Sequence, residues 1–274
     1  MEFNNSSLMT LEKCGERFRR QYIEKEWRPR TVPLVRGTAF HSAAKTTYLR
    51  RMQEGSYPSV EEVRDCAADA FEDEWARDEV RVDADDADEA GSDAAVRGDA
   101  KDFVVDIAAF DRLEVAPAIQ PIAVERKVVV KPLDSSIVIH GTMDLAHGRD
   151  GRVTIIDKKT SAKSPARTAA DTSSQFSVYG LLWLAEHGTP PDDFRMDYLV
   201  RTPKKHDLKY VPLTTTRTVE DLQTTIKRIN VAVEAVKHEI YVPAPTDAWW
   251  CSAKFCPYHD SCVFVARGTK RPTS

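Results

Sequence analysis

The sequence predicts an α/β fold: an N-terminal helical region, a mixed central β-sheet and a Cys-rich C-terminal tail. Three observations carry that expectation. Apolar residues recur at helical spacing up to about residue 116. After Pro117 and Pro121 the period changes to strand alternation, beginning with IAVERKVVV at 122–130. Three of the five cysteines then crowd into WWCSAKFCPYHDSC near the end of the chain.

The elements follow in order. Residues 7–26 read as a helix capped by Ser6 or Ser7, with Leu8, Leu11, Phe18, Tyr22 and Ile23 on its apolar side. A second helix, about 36–53, contains GTAFHSAAKTTYLRRM. Two more, 59–80 and 96–116, flank a run from Asp83 to Asp93 with six acids and no base, which reads as a loop. Strands are expected at 122–130, 135–146 and 152–157, a crossover helix at 173–187 ended by Gly188 and Pro190-Pro191, strands at 194–202 and 208–216, and a long helix at 218–240. The order β-β-β-α-β-β requires a sheet with both parallel and antiparallel pairs. The expected division is 1–120, 121–245 and 246–274, joined as one integrated domain.

Composition narrows the classes. The chain has 274 residues, 42% hydrophobic and 30% charged, which supports a core and argues against disorder. No stretch reaches the ~20 apolar residues of a membrane span, so no membrane partner is expected. The polar start MEFNNSSLMTLEKCGERFRR has no apolar h-region, and with few cysteines it points to the cytoplasm. No Gly-x4-Gly-Lys-Ser/Thr occurs, and Gly268-Thr269-Lys270 lacks the loop and helix of a P-loop, which argues against an ATP-driven motor. The net charge of −4 conceals an asymmetry: residues 1–51 carry +6, and Arg267, Lys270 and Arg271 follow the last cysteine without an acid. Such patches suit a polyanion, although a solvated helix face explains them equally well.

The segment HGTMDLAHGRDGRVTIIDKKT at 140–160 holds the densest chemistry. Asp144 ends one strand and Asp157 the next, with hairpin punctuation at His147–Gly151 between them. Folding the hairpin brings the two acids together, and period two puts Asp157 and Lys159 on one face. Paired carboxylates repel, so a divalent cation is the natural occupant, with Lys159 placed to orient a water or stabilise developing phosphorane charge. The plainer alternative is two solvated turn acids and an exposed lysine. Against it, Asp157 follows Val153, Ile155 and Ile156 at the end of a buried strand.

Gly141-x-x-Asp144 followed by Ile156-Asp-x-Lys-Thr160 resembles the PD-(D/E)XK nuclease superfamily in its RecB-like branch. Gly37-Thr38-Ala39-Phe40-His41 resembles the Gly-x-x-x-His helix of that branch. Gln175-Phe176-Ser177-Val178-Tyr179 resembles its Gln-x-x-x-Tyr helix. The four elements occur in the family's order across nearly the whole chain, with Met143 where the superfamily's Pro would stand. The resemblance implies a restriction-endonuclease-like core. It implies Asp144, Asp157, His41 and the Lys158 backbone carbonyl as metal ligands, with Lys159 catalytic. Oxygen donors suit Mg²⁺, and one imidazole shifts the preference toward Mn²⁺. Gln175 and Tyr179 share a helix face and are placed to hold DNA or Lys159, or merely to pack. For His41 alone the alternative is a satisfied half-buried histidine. Glu125 reads as a supporting acid or an exposed strand acid.

Cys14, Cys251, Cys256 and Cys262 resemble the iron–sulfur staple of RecB-like nucleases, including the AddB nuclease domain and CRISPR-associated relatives. There four thiolates hold a [4Fe–4S] cluster. Joining Cys14 to the tail would remove about 5 kcal/mol of unfolded-state entropy, by analogy with a disulfide. Zinc, with His259 as a further ligand, and unpaired thiols are the alternatives. Cys66 reads as core.

The function expected is a metal-dependent DNA exonuclease on ends or single strands, in recombination, repair or phage DNA processing, with a homo-oligomer or a recombination protein as partner. The alternative is a catalytically silent iron–sulfur or zinc-stapled DNA-binding module, against which the presence of Asp144, Asp157 and Lys159 stands. Arg17, Arg19, Arg20 and Arg36 are expected to contact phosphates; the competing view pairs the N-terminal arginines with Glu12, Glu16 and Glu24.

Overall fold

The computed structural model describes residues 2–131 and 138–265. The chain forms two compact units. One contains Met1–Arg28, Lys131–Ile139 and Gln223–Ser274, and the other Pro29–Val130 and His140–Leu222.

The first unit opens with β1 (Glu2–Phe3) and α1 (Asn5–Lys13). Asn4 caps α1, accepting from Ser7 N at 2.9 Å. The expected continuous helix over 7–26 breaks at Cys14, whose backbone is extended at φ −164° and ψ 104°. A four-residue α2 (Gly15–Phe18) and a π-helical turn (Arg19–Ile23) follow. The cause of the break is Gly15. Its N–H donates to Val242 O at 2.7 Å, and a Cβ there would lie 2.5 Å from the Tyr241 backbone. Phe3, Phe18, Tyr22 and Tyr241 then stack around this junction.

In the second unit β2 (Arg30–Thr31) leads into α3 (Val32–Glu54), which carries Pro33 in its first turn and ends at Gly55 in the left-handed conformation. Helix α4 (Val60–Arg77) starts with a Ser59/Glu62 capping box. Strand β3 (Val80–Arg81) pairs with β2. The acidic run contains a short helix, α5 (Ala84–Ala90), where a loop is expected from charge alone. Helix α6 (Asp93–Phe110) continues through a π-helical turn, Asp111–Val115.

The sheet then forms from β4 (Pro121–Val130), β5 (Val138–Arg149), β6 (Arg152–Ser161), β7 (Asp193–Arg201) and β8 (Leu208–Thr215), with α7 (Ser174–His187) crossing between β6 and β7. Residues 135–137 of the expected second strand lie outside the described residues, as do Arg267, Lys270, Arg271 and the Gly268-Thr269-Lys270 step. The order is β4-β5-β6-β7-β8. β5–β6 and β7–β8 are antiparallel and β6–β7 parallel, so the central sheet is mixed. Strand β1 pairs with the first two residues of β5, inside the first unit. Helix α8 (Val219–Lys237) closes the regular structure. Among the described residues no helix is long and apolar enough to cross a membrane.

One face of the sheet, including Leu145, Ile156 and Leu199, packs on the buried stripes of α3, α4 and α6. The other meets α7, where Phe176 lies 5.2 Å from Phe194 and Gly141 makes room for Leu182. Alternation along β6 therefore sends Ile156 and Lys158 to the three-helix side, and Asp157 and Lys159 to the α7 side.

Candidate metal centre

The hairpin register sets the site. Leu145 is opposite Ile156, so Asp144 and Asp157 face each other one residue further along. Asp144 Oδ2 accepts the Lys158 backbone N–H at 2.8 Å. Asp157 is fully buried and neither carboxylate oxygen has an aligned hydrogen-bond donor, although Lys159 Nζ stands 2.7 Å from Oδ2 as an ion pair. A buried carboxylate with a single ion-pair partner keeps lone pairs that a cation can satisfy.

Helix α3 brings His41 to the same point. Its Nδ1 lies 3.6 Å from Asp144 Oδ2 and 3.9 Å from Glu125 Oε1. Donor atoms of His41, Glu125 and Asp144 all fall within 4.8 Å of one another, the single such set among the described residues. Glu125 is brought in by a kink: its φ is +47° in the middle of β4, a region that L side chains rarely adopt. The sequence left Glu125 as either a supporting acid or an exposed strand acid; no signal in one sequence marks a bulge.

The electrostatics suit a bound cation. Burial, then repulsion from Asp144, raises the Asp157 carboxyl to about 6. Burial raises Asp144 to about 6, against the pull of Lys159. Burial and Asp144 raise Glu125 to about 7. Burial lowers His41 to about 4, leaving a neutral imidazole at pH 7, the form that ligates metals. Burial alone would weaken the Lys159 ammonium, but Asp157 and Asp144 outweigh it and hold it above its ordinary value. Hard oxygen donors and one neutral imidazole fit Mg²⁺ or Mn²⁺.

Gln175 and Tyr179 serve Lys159. Lys159 Nζ donates to Gln175 Oε1 at 3.1 Å, Gln175 Nε2 donates to Tyr179 Oη at 2.6 Å, and Tyr179 Oη donates to Thr142 O at 2.6 Å. Each donor direction is fixed by the last carbonyl, so the chain orients the lysine.

The arginines have protein partners of their own. Arg19 is paired with Glu16 at 2.8 Å and with Glu24. Arg20 is buried, held by Glu26 and Ser261 and stacked 4.5 Å from Tyr258. Arg17 donates to Phe255 O at 3.5 Å. Arg36 lies over the Phe103 ring at 4.2 Å. Arg19 thus takes two of the glutamate partners of the competing view, and Arg20 and Arg36 are engaged with protein groups.

In the first unit Cys14, Cys251 and Cys256 line a cavity of about 350 Å³. Cys14 Sγ caps α2, accepting from Arg17 N at 3.4 Å. Burial raises the Cys251 thiol first, and Cys256, Cys14 and Cys262 raise it further, so all four sulfurs share one neighbourhood. Cys66, in the other unit, packs against the helical core.

Residues 2–263 match the family model of the PD-(D/E)XK nuclease superfamily, and the chain belongs to that superfamily. Its nucleases use divalent metals and act on DNA, which the His41, Glu125 and Asp144 donors accommodate; Asp157 lies outside that 4.8 Å set. Two solved structures are similar. One is a Eubacterium rectale protein provisionally assigned as an exonuclease, at 14% identity and TM-score 0.49, covering 99% of this chain and 90% of its own. The other is SSO0001, at 13% identity and TM-score 0.38, covering 93% and 94%. No curated protein matches the chain.

Proposed function

We propose that the protein is a metal-dependent DNA exonuclease that hydrolyses phosphodiester bonds at free ends or on single strands. The observation that carries this reading is the buried, unsatisfied Asp157 carboxylate beside Asp144, His41 and an oriented Lys159. In the proposed roles Asp144, Asp157, His41 and the Lys158 carbonyl hold Mg²⁺ or Mn²⁺, with Glu125 added to the set. The bound cation supplies Lewis acidity and an activated water. Lys159 donates to the phosphate oxygen on which charge develops. Gln175 and Tyr179 hold Lys159 in place. The setting is recombination, repair or phage DNA processing in the cytoplasm, with a homo-oligomer or a recombination protein as partner.

The four cysteines are proposed to hold a [4Fe–4S] cluster. What supports this reading is that Cys14, Cys251 and Cys256 line one cavity.

The test is release of nucleotides from single strands labelled at the 5′ or the 3′ end, with and without Mn²⁺. Metal-dependent release from one end supports the reading. Metal-bound protein that binds DNA without cutting it would favour the silent binding module instead. Iron content and absorbance near 400 nm, a generic iron–sulfur signature, test the cluster.

A further inference from the structure

We infer that Lys45 is the phosphate anchor of this metal site, its ammonium binding a nonbridging oxygen of the nucleic-acid strand laid across His41, Glu125 and Asp144. The inference rests on the nuclease reading and assigns a substrate contact within it.

Lys45 stands one helical turn after His41 on α3, so the two side chains share a face. Both line the pocket that holds Glu125 and Asp144. The ammonium is near enough to pull the Glu125 carboxyl downward against its burial. Among the described residues two other lysines border the site, and each already has a task. Lys158 lines the same pocket, but its ammonium is paired with Asp111 at 2.6 Å. Lys159 is held by Asp157 and Gln175. Lys45 is exposed and makes no ion pair among the described residues.

Charge balance gives it a task. Glu125, Asp144 and Asp157 are three negative charges when ionised, and Lys159 with one divalent cation cancels them. The loaded site is neutral, and an arriving phosphodiester adds a further negative charge beside three carboxylates. A mobile ammonium at the rim offsets that charge without entering the metal's ligand set. The same placement makes Lys45 unfavourable to the metal itself, because like charges repel. Removing it therefore affects the two ligands in opposite senses.

The experiment uses the full chain with Lys45→Ala and Lys45→Arg. Mn²⁺ affinity is measured by calorimetry without DNA. Binding of a labelled single strand is measured with Ca²⁺ in place of Mn²⁺ across a salt series. KM and kcat follow from cleavage. In Lys45→Ala, strand affinity should fall about tenfold and the salt slope should shrink by about 0.7, the share of one phosphate. The loss of kcat/KM should fall mainly on KM. Mn²⁺ should bind as tightly as to wild type or tighter, and Lys45→Arg should restore strand affinity. Unchanged strand affinity and slope in Lys45→Ala, with a wild type that binds Mn²⁺ and cuts, would overturn the assignment alone. Weaker Mn²⁺ binding in Lys45→Ala would also overturn it. A wild type that neither binds Mn²⁺ nor cuts removes the nuclease reading and this inference together.

Discussion

The two faces of strand β6 bury charge in opposite ways. On the three-helix side Lys158 lies 2.6 Å from Asp111 and 3.8 Å from Asp197. Tyr48 donates to Asp111 at 3.0 Å, Tyr210 to Asp197 at 2.9 Å, and Arg195 grips Asp197 through two nitrogens. Two carboxylates meet two cations and two phenols, and the network is closed. On the α7 side Asp157 and Asp144 meet one committed lysine and a neutral histidine. One strand therefore carries a satisfied network and an unsatisfied one, a residue apart. The satisfied side behaves as structure, and the incomplete side is where an external charge belongs.

Breaking each side should therefore have opposite consequences, and this is the largest contrast. Asp197→Asn strands Lys158 and Arg195 partners in the core and should destabilise by about 3–5 kcal/mol. Asp157→Asn removes a repelled, undersolvated charge and should leave metal-free stability equal or higher, while Mn²⁺ affinity and cleavage collapse. Lys159→Ala should retain Mn²⁺ and lose orders of magnitude in rate, as removal of a transition-state donor does. Denaturant melts without metal, paired with calorimetry, check the contrast. A destabilised Asp157→Asn would show that its carboxylate is already paid for within the fold.

Acidity sharpens the same comparison. Asp144 and Asp157 near 6 and Glu125 near 7 all lie above the ordinary carboxylate value of about 4. The folded chain then binds more protons than the unfolded one between those values. Stability of the metal-free protein should fall as pH rises from about 4 to 7 through these groups. Added Mn²⁺ needs the ionised forms, so its gain in Tm should be large at pH 7.5 and small at pH 5. A gain independent of pH would place the metal away from these carboxylates.

Much of the α7-side site is legible in the sequence because it obeys short periods. Alternation puts Asp157 with Lys159, the hairpin puts Asp144 opposite, and a spacing of four puts Gln175 with Tyr179. The closed side is less legible. Lys158 enters the sequence reading only through its backbone carbonyl, and its side-chain partners Asp111 and Asp197 lie 47 and 39 residues away in two other elements. Glu125 is hidden by a single left-handed residue, and the break at Cys14 by the backbone that approaches Gly15. The acidic run illustrates the reverse error, since charge predicts solvation and says little about whether the backbone is helical.

The cysteine cavity gives a smaller effect, because its side chains gather around a space rather than against an ion pair. Cys14→Ala or Cys256→Ala should lose iron and colour, lower Tm and promote aggregation, with activity falling only as folding does. Stable, iron-free wild-type protein would remove the cluster.

The smallest expected effect concerns Gly37. It lies one turn before His41 on the same face of α3, and a Cβ added there meets nothing within 4 Å. Packing therefore does not require glycine, and glycine inside a helix is worse than alanine by about 1 kcal/mol. Gly37→Ala should raise Tm slightly and leave Mn²⁺ affinity unchanged. If the strand passes over this face toward His41 and Asp144, the added methyl stands where its backbone approaches, and strand affinity should drop a few-fold despite the firmer fold. Equal affinity in the stabilised variant would move the strand's path off this turn of α3 and leave the approach to the metal to the β4 and α7 sides.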